Sequence, residues 1–456
     1  MEFKKTLLWD ITSECNLRCK HCYNAEKYFN DKKNKYNILN TEECKNVIIS
    51  IKRENFDHIH LLGGEPLFRK DIFELIDFAR QQNLYVTINT NGTLLNSMNV
   101  RRLIKSGINQ ITISLDAPVE TLNDEIRGNG VFNKVISNIK ILNSILKETD
   151  QNVIVQIATV ITEKNAKYVK QFPKLLKQLD IKYLSVLSLY KCGNANKNNK
   201  ELFYSINTEI QTLRELLCKS KFVYPELYIQ LDCKPIVSSY INRISGEIYC
   251  QINKSNCRAG DKIWLLEPNG DLYPCGSCNL STAQDVKERN ILMGKALNIN
   301  KIKSFDEIYN CDLYKSFYKL KSTYIHNKYV CSKCEFNDIC TGECPLILKH
   351  NYDICDFIIN EEEKYYDSLK EKTFKVCNDV LYGVYDENLI AFNIKKGIKK
   401  KMNRWKKCIF SNIAQNDNLS IKEIYNSCNI NIKPTEIQFS RFILDLNAES
   451  YIQEII

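Results

Sequence analysis

TLLWDITSECNLRCKHCY, residues 6–23, starts as a short apolar run that reads as a buried strand and ends on three cysteines. Cys15, Cys19 and Cys22 are spaced C-x3-C-x2-C in the loop that leaves the strand. Thiolates this close can converge on one iron–sulfur cluster, and three ligands to a four-iron cluster leave one iron open for chemistry. A zinc site or an accidental run would share the spacing.

Outward from this stretch the chain alternates buried strands with amphipathic helices. HIHLL (58–62), LYVTINT (84–90), INQITISLD (108–116), VIVQIATVI (153–161) and KYLSVLSL (182–189) read as strands. DIFELIDFARQQ (71–82) and VFNKVISNIKILNSILK (131–147) place apolar residues three and four apart, as helices do. Six strand–helix steps predict an α/β fold over residues 1–230, a parallel sheet or a partial (β/α)6 TIM-like barrel covered by helices. Ligands of such folds sit at the C-terminal strand ends. There the sequence carries Gly63, Gly64, Glu65 and Pro66 after the second strand, NTNGT (Asn89–Thr93) after the third, and SLDAP (Ser114–Pro118) after the fourth. Asp116 could equally cap the next helix, and Arg127 further along could form a structural salt bridge. The polar stretch KCGNANKNNKE (191–201) reads as a linker or an active-site loop.

A second region, residues 231–360, is dense in cysteine. Cys257 is followed by Gly270 and Cys275 in a G-x4-C step, then by Cys331, Cys334, Cys340 and Cys344 spaced C-x2-C-x5-C-x3-C, and by Cys355. Weak periodicity here fits a domain whose folding energy comes from metal. By spacing alone, a pair of zinc sites is the alternative. Residues 361–456 are expected to form a helical C-terminal region. Ile394, Ile398, Met402, Trp405 and Ile409 would line one face of a helix over 394–409, with Lys396, Lys400, Arg404 and Lys407 on the other. KPTEIQFSRFILDLNAESYIQEII (433–456) reads as two further short helices around a turn at Asp445–Ala448. This region is either a structural cap or a module that holds an acidic leader peptide.

Composition narrows the class. A chain of 456 residues, 44% hydrophobic and 26% charged, is expected to form several globular domains. No apolar run approaches the roughly 20 residues of a membrane span, and the start lacks the marks of a secretory signal, so a cytoplasmic protein with no membrane partner is expected. The net charge of +10 is spread along the chain, which reflects compositional bias or an acidic partner, and no nucleic-acid partner is expected. Twenty cysteines in a reducing compartment point to metal rather than disulfides.

The first cysteine loop, GGEP and SLDAP together resemble the radical S-adenosylmethionine (SAM) superfamily. The resemblance implies that Cys15, Cys19 and Cys22 bind a 4Fe-4S cluster whose fourth iron is chelated by SAM, and that Gly63, Gly64 and Glu65 receive the SAM amino group. It places Ser114 and Asp116 near the SAM ribose or methionine part, Tyr23 over the cluster or adenine, and Arg127 within reach of the SAM carboxylate. The second constellation resembles the SPASM domain, which binds up to two auxiliary 4Fe-4S clusters. Cys331, Cys334, Cys340 and Cys355 would hold one. Cys257, Cys275 and Cys344 would hold the other, with Cys278 the first candidate for its fourth ligand, Cys250 the second, and an open iron the third possibility. The implied activity is reductive cleavage of SAM to a 5'-deoxyadenosyl radical that abstracts hydrogen from a peptide or protein, as in a ribosomal peptide maturase that forms a crosslink. A tetrapyrrole or other small-molecule substrate is the alternative, and Gly276, where sulfatase-maturing members carry Asp, disfavours that branch. A flavodoxin or ferredoxin is the implied reducing partner. The sequence offers no candidate general base.

Overall fold

The computed structural model describes residues 3–28, 38–233, 235–245, 257–279, 292–324, 340, 346, 355, 357–358, 369–385, 388–402, 404–416, 418–427 and 436–455. The described residues fall into two compact units. The first lies within 1–233, 256–325 and 343–350, and the second within 234–255, 326–342 and 351–456.

The first unit is built on a ten-stranded sheet. Its strands are β1 (Thr6–Thr12), β2 (His58–Gly63), β3 (Tyr85–Thr90), β4 (Gln110–Ser114), β5 (Ile154–Val160), β6 (Tyr183–Leu187), β7 (Tyr228–Leu231), β8 (Ile263–Leu266), β9 (Asp271–Tyr273) and β10 (Leu297–Asn298). The order is β10-β9-β8-β1-β2-β3-β4-β5-β6-β7, and every pair from β8 through β7 is parallel. All six strands read from the sequence are present. Two parallel strands were not foreseen: β7 is only four residues long with no buried residue, and β8 returns to β1 from more than 250 residues away, a pairing no local pattern announces.

Strand alternation sets the two faces of this sheet. Leu7, Trp9, Ile11, Ile59, Leu61, Val86, Ile88, Ile111, Ile113, Ile157, Leu184 and Val186 are buried on one face. Alternate positions are polar and hydrogen-bond across strands: Thr6 to His58 at 3.1 Å, His58 to Thr87 at 2.9 Å, and Gln110 to Gln156 at 2.6 Å. Thr87 also meets His60. Burial pushes both imidazoles down, to about 3 for His58 and about 4 for His60, so they remain neutral. The helices begin where their capping residues dictate. Asn40 and Glu43 form a reciprocal capping box for Thr41–Arg53, and Ser205 caps Ile206–Val223.

The last hundred residues are not all helical. β11 (Phe374–Val376) pairs with β15 (Ile452–Glu454), while β12 (Val380–Tyr385), β13 (Asn388–Asn393) and β14 (Ile398–Met402) form an antiparallel sheet. Helices Arg404–Gln415, Ile421–Ser427 and Glu436–Ala448 complete the segment. The expected helix over 394–409 is therefore corrected: its first half is a hairpin turn and a strand. Asn393 accepts from Lys396 N at 2.9 Å, and Gly397 has φ +67, a combination that turns the chain before a helix can start. The two short helices expected at the end are instead one helix through Ala448 and then β15. Ser450 at φ +58 ends the helix, and Tyr451 N donates back to Leu446 O at 2.8 Å. A core of Ile409, Phe410, Ile413, Ile421, Phe439 and Ile443, all at 0% exposure, holds these elements together.

Candidate active site

Cys15, Cys19 and Cys22 lie in the loop after β1, where the charge of Cys15 acts on Cys19 and the charges of both act on Cys22. Burial pushes the Cys19 thiol up to about 11 and Cys22 to about 12, with Arg127 pulling both the other way. Donors surround the sulfurs: Leu17 N lies 3.4 Å and Asn91 Nδ2 3.9 Å from Cys15 Sγ, and Arg127 Nη1 lies 4.0 Å from Cys19 Sγ. The polar stretch after β6 clamps this loop as two short helices, Gly193–Lys197 and Asn199–Leu202. Asn194 donates from N to Cys22 O at 2.9 Å and from Nδ2 to Cys19 O at 3.0 Å, while Asn198 Nδ2 reaches Lys20 O at 2.9 Å. Gly193 is required there because a Cβ would run into Cys22 O. Of its two readings, the linker is not what the contacts show: the stretch packs on the cysteine loop. Asn194 and Asn198 went unread because nothing in an Asn-rich sequence marks them.

GGEP folds back on the same loop. Gly64 N donates to Thr12 O at 2.8 Å and Glu65 N to Glu14 O at 2.7 Å, and a Cβ on either Gly63 or Gly64 would collide with Thr12 or Glu14 backbone. The fully buried Glu65 carboxylate accepts from Thr90 Oγ1 at 2.7 Å, Asn91 N at 2.7 Å and Leu67 N at 3.2 Å. Its visible work is to tie GGEP to NTNGT. Burial pushes its pKa up to about 7 against those hydrogen bonds.

At the end of β4, Asp116 is fully buried and pairs with Arg127 Nε at 2.6 Å and His21 Nε2 at 3.3 Å. Asp116 Oδ1 accepts from Val160 N at 3.0 Å, so the side chain bridges strands rather than capping a helix. Arg127 and His21 hold the Asp116 carboxyl below its ordinary range against burial. His21 is pushed down by burial, so the pairing leans on Arg127. This triangle anchors the cysteine loop to β4. Ser114 ends β4 opposite Ala158. Tyr23, next to Cys22, is 44% exposed.

One cluster was not foreseen. Asp10 on β1 and Glu267 just after β8 follow the Trp9–Leu266 register, so they are cross-strand neighbours. Lys27 bridges them, 3.5 Å from Asp10 and in direct contact with Glu267. Tyr28 donates to Asp10 at 2.6 Å, Asn24 Nδ2 donates to Gly63 O at 3.2 Å, and Asn279 donates to Glu267. Both carboxylates are buried, and burial pushes Glu267 up against the pull of Lys27. This box joins the first cysteine loop to the segment carrying Cys275 and Cys278, whose sulfurs lie 3.6 Å apart. The signal missed was the spacing of Asp10 and Glu267, which only the β1–β8 pairing brings together.

Whether these residues suit a cluster with SAM is tested by buried atoms that lack a partner. Among the described residues, Asp10 Oδ1, Asn24 Oδ1 and Asn89 Oδ1 accept no hydrogen bond. All three are acceptors near the strand ends, and the ammonium and ribose hydroxyls of SAM are donors. The donors turned toward the cysteine sulfurs match thiolate ligands likewise. Among the described residues no group of three His, Cys, Asp or Glu side chains, the loop cysteines included, is gathered closely enough to hold a metal ion. Cys257, Cys275 and Cys278 pack in one apolar cluster with Leu313, Phe317 and Leu320. Cys340 and Cys355 are partly buried; Cys250, Cys331, Cys334 and Cys344 lie outside the described residues.

Comparison with known proteins agrees. Residues 9–176 match the radical SAM superfamily, and residues 257–335 match SPASM, an iron-sulfur cluster-binding domain. The chain is 24% identical over 356 residues to the AdoMet-dependent heme synthase of Oleidesulfovibrio alaskensis, covering 74% of this chain and 82% of that protein. It is 27% identical over 270 residues to the mycofactocin maturase MftC of Mycobacterium tuberculosis, covering 59% of this chain and 63% of MftC. Among solved structures, Streptococcus suis SuiB bound to S-adenosylmethionine gives a TM-score of 0.57 at 18% identity, covering 75% of this chain and 73% of SuiB. Native anSMEcpe with bound AdoMet gives 0.55 at 21%, covering 75% and 89%. At these identities the two structures speak for the fold. The chain belongs to the radical SAM superfamily, with a four-iron cluster and SAM as cofactors, and it carries a C-terminal SPASM domain with auxiliary iron–sulfur clusters.

Proposed function

We propose that this enzyme modifies a peptide or protein substrate, as a ribosomal peptide maturase that forms a crosslink. The observation that carries the reading is the outer face of the β12–β14 sheet. The register places Leu381, Phe392 and Lys399 in one row across the three strands and Gly383, Ile390 and Lys401 in the next. On that face Leu381 is 62% exposed on the edge strand β12 and Phe392 is 38% exposed beside it. An apolar edge strand beside lysines suits an extended peptide with acidic and apolar side chains, which would add as a further strand. MftC is named a maturase, and SuiB has been solved bound to its precursor peptide SuiA.

When bound, the cluster and SAM would supply the radical chemistry for hydrogen abstraction from the substrate. This chain's residues would hold them: Cys15, Cys19 and Cys22 as ligands, with Gly63, Gly64, Glu65, Ser114, Asp116, Arg127 and Tyr23 around SAM. Glu65 and Glu267, both pushed up by burial, are the carboxyls that would hold a proton at the strand ends. The domain division 1–230, 231–360 and 361–456 is kept as the functional one.

The test is co-expression with short peptides encoded beside the gene, followed by mass spectrometry. A product lighter by two hydrogens, absent with Cys15→Ala, supports the reading; unmodified peptides throughout would overturn it. The tetrapyrrole reading is favoured by the heme-synthase relatives. It would be supported by turnover of an iron-bound porphyrin.

A further inference from the structure

Three donors converge on one oxygen of Asp10, and none reaches the other. Asp10 Oδ2 accepts from Tyr28 OH at 2.6 Å and from Asn24 Nδ2 at 3.5 Å, and it lies 3.5 Å from Lys27 Nζ. Asp10 Oδ1, on a residue only 1% exposed, accepts no hydrogen bond. Asn24 is equally buried, and its Oδ1 also accepts none. The Asn24 amide cannot be turned round to mend this, because Nδ2 already faces two acceptors, Gly63 O at 3.2 Å and Asp10 Oδ2. Buried polar atoms are normally paired, so two unpaired acceptors on side chains in contact call for a donor from outside the chain.

The charge in the box says what kind of donor. Asp10 and Glu267 are buried carboxylates, and Lys27 is the ammonium between them. Lys27 is in direct contact with Glu267 and stands off from Asp10, so one cation serves two acids and serves Asp10 less. The other partners, Tyr28 and Asn24 on Asp10 and Asn279 on Glu267, are neutral donors. A buried charge is held best when it is both paired and hydrogen-bonded. An N–H donor carrying a positive charge meets both needs at Asp10, whereas a second anion would be repelled.

The strand order separates this spot from the residues placed around SAM. Glu65 is tied to NTNGT after β3, and Ser114 and Asp116 follow in the β4 segment, whereas Asp10 and Glu267 lie on the β1–β8 side of β2. The third unpaired acceptor, Asn89 Oδ1, belongs to β3 and remains on the SAM side. Asp10 is paired in register with Leu62, which is only half-buried, so this face of the sheet is not sealed. Asn24 comes two residues after Cys22, and Asn279 directly after Cys278. A group held by the box therefore lies beside both cysteine segments.

We propose that Asp10 Oδ1 and Asn24 Oδ1 form a cation-binding subsite that takes the ammonium or guanidinium of a lysine or arginine side chain in the substrate. The substrate class rests on the peptide reading above; the subsite itself takes an ammonium whatever carries it. A peptide offers such a group. A porphyrin offers carboxylates at its edge, which Asp10 and Glu267 repel.

The test uses n-butylammonium chloride, a lysine side chain without its backbone, with the full-length reconstituted holoenzyme at neutral pH. Thermal unfolding is followed against butylammonium concentration, with sodium chloride at matched ionic strength and neutral butanol as controls. A ligand that binds only the folded state raises the midpoint as its concentration passes its dissociation constant, so the titration reads affinity. Wild type should gain a saturable rise that neither control gives. Asp10→Asn should weaken butylammonium binding about tenfold or more, since hydrogen bonds to a charged acceptor are the stronger ones. Asn24→Leu, which is similar in shape and leaves both carboxylates in place, should weaken it about threefold, and it carries the test if iron content and circular dichroism show Asp10→Asn unfolded. Saturating SAM should leave the butylammonium effect in place. No rise beyond the controls, or equal affinity in the folded variants, overturns the subsite; displacement by SAM overturns it too, by giving the two oxygens to SAM. For a peptide that proves to be modified, lysines and arginines are replaced one at a time by norleucine. One replacement should raise KM about tenfold in wild type and much less in Asn24→Leu, and an unchanged KM for every replacement overturns the role in substrate binding. A retained butylammonium effect with all peptides unmodified supports the cation subsite and overturns the peptide reading instead.

Discussion

Glu65 and Asp116 are both fully buried carboxylates, yet their pKa values move in opposite directions because their partners differ. Asp116 has a guanidinium at 2.6 Å, so its carboxylate is ionised and the pair is worth keeping intact. Asp116→Asn leaves Arg127 charged and unpaired in a buried site, which should cost about 3–5 kcal/mol, read from a denaturant midpoint. A folded pKa held below the ordinary value means that this contribution is present at neutral pH and lost as pH falls through the carboxylate range. Glu65 has only neutral donors. With a folded pKa raised from 4.5 to about 7, its contribution to stability is full below pH 4.5 and lost as pH rises toward 7. The slope approaches about 1.4 kcal/mol per pH unit, and Glu65→Gln, which has no such proton to lose, should flatten that part of the profile. An unchanged profile would show that the three donors outweigh burial. Replacing Cys15, Cys19 and Cys22 by Ala should abolish release of 5'-deoxyadenosine; persistent release would place the catalytic cluster elsewhere.

At the scale of elements, the strands that carry the site were legible because apolar residues recur at every second position in short segments such as HIHLL, YVTINT and QITIS. Cysteines, GGEP and SLDAP were legible because they sit where such strands end. The Asp10–Lys27–Glu267 box was not, since it exists only through the β1–β8 pairing. The C-terminal sheet misled for another reason. Ile394, Ile398 and Met402 recur every four residues, the period of a helix, whereas Asn393 and Gly397 set a hairpin turn. The correction changes which lysines to mutate. Lys400 pairs with Glu449 and lies over the Tyr451 ring, so reversing it would damage the fold. Lys399 and Lys401 are exposed on the outer sheet face. Lys399→Glu/Lys401→Glu should weaken binding of an acidic precursor peptide about tenfold at low salt and little at high salt, by fluorescence anisotropy. Equal affinity in the variant would reduce this face to a solvated surface.

At the scale of the molecule, the two kinds of core predict two responses to metal. The β1–β7 sheet buries its own apolar face, with Ile88, Ile111, Ile113 and Ile157 at 0% exposure, and needs no cluster to close it. The Cys257–Cys275–Cys278 region is different: its small apolar cluster of Ala259, Leu292, Leu313, Phe317, Leu320 and Leu346 is threaded by the cysteines themselves. Burial raises the Cys257 thiol, so ionising it without metal is unfavourable, and cluster assembly supplies what the apolar contacts lack. Reconstituted protein with three four-iron clusters should hold about twelve irons per chain, with negligible zinc. Cys275→Ala/Cys278→Ala should lower that by about four. In hydrogen exchange, the helix Asp312–Tyr324 should then lose protection while β3, β4 and β5 keep theirs, because opening free energies follow local cores. Stoichiometric zinc in the wild type would restore the zinc-knuckle reading of these cysteines. Loss of protection in β3–β5 along with the helix would mean that the barrel also depends on the auxiliary metal, and that its self-contained core is not sufficient.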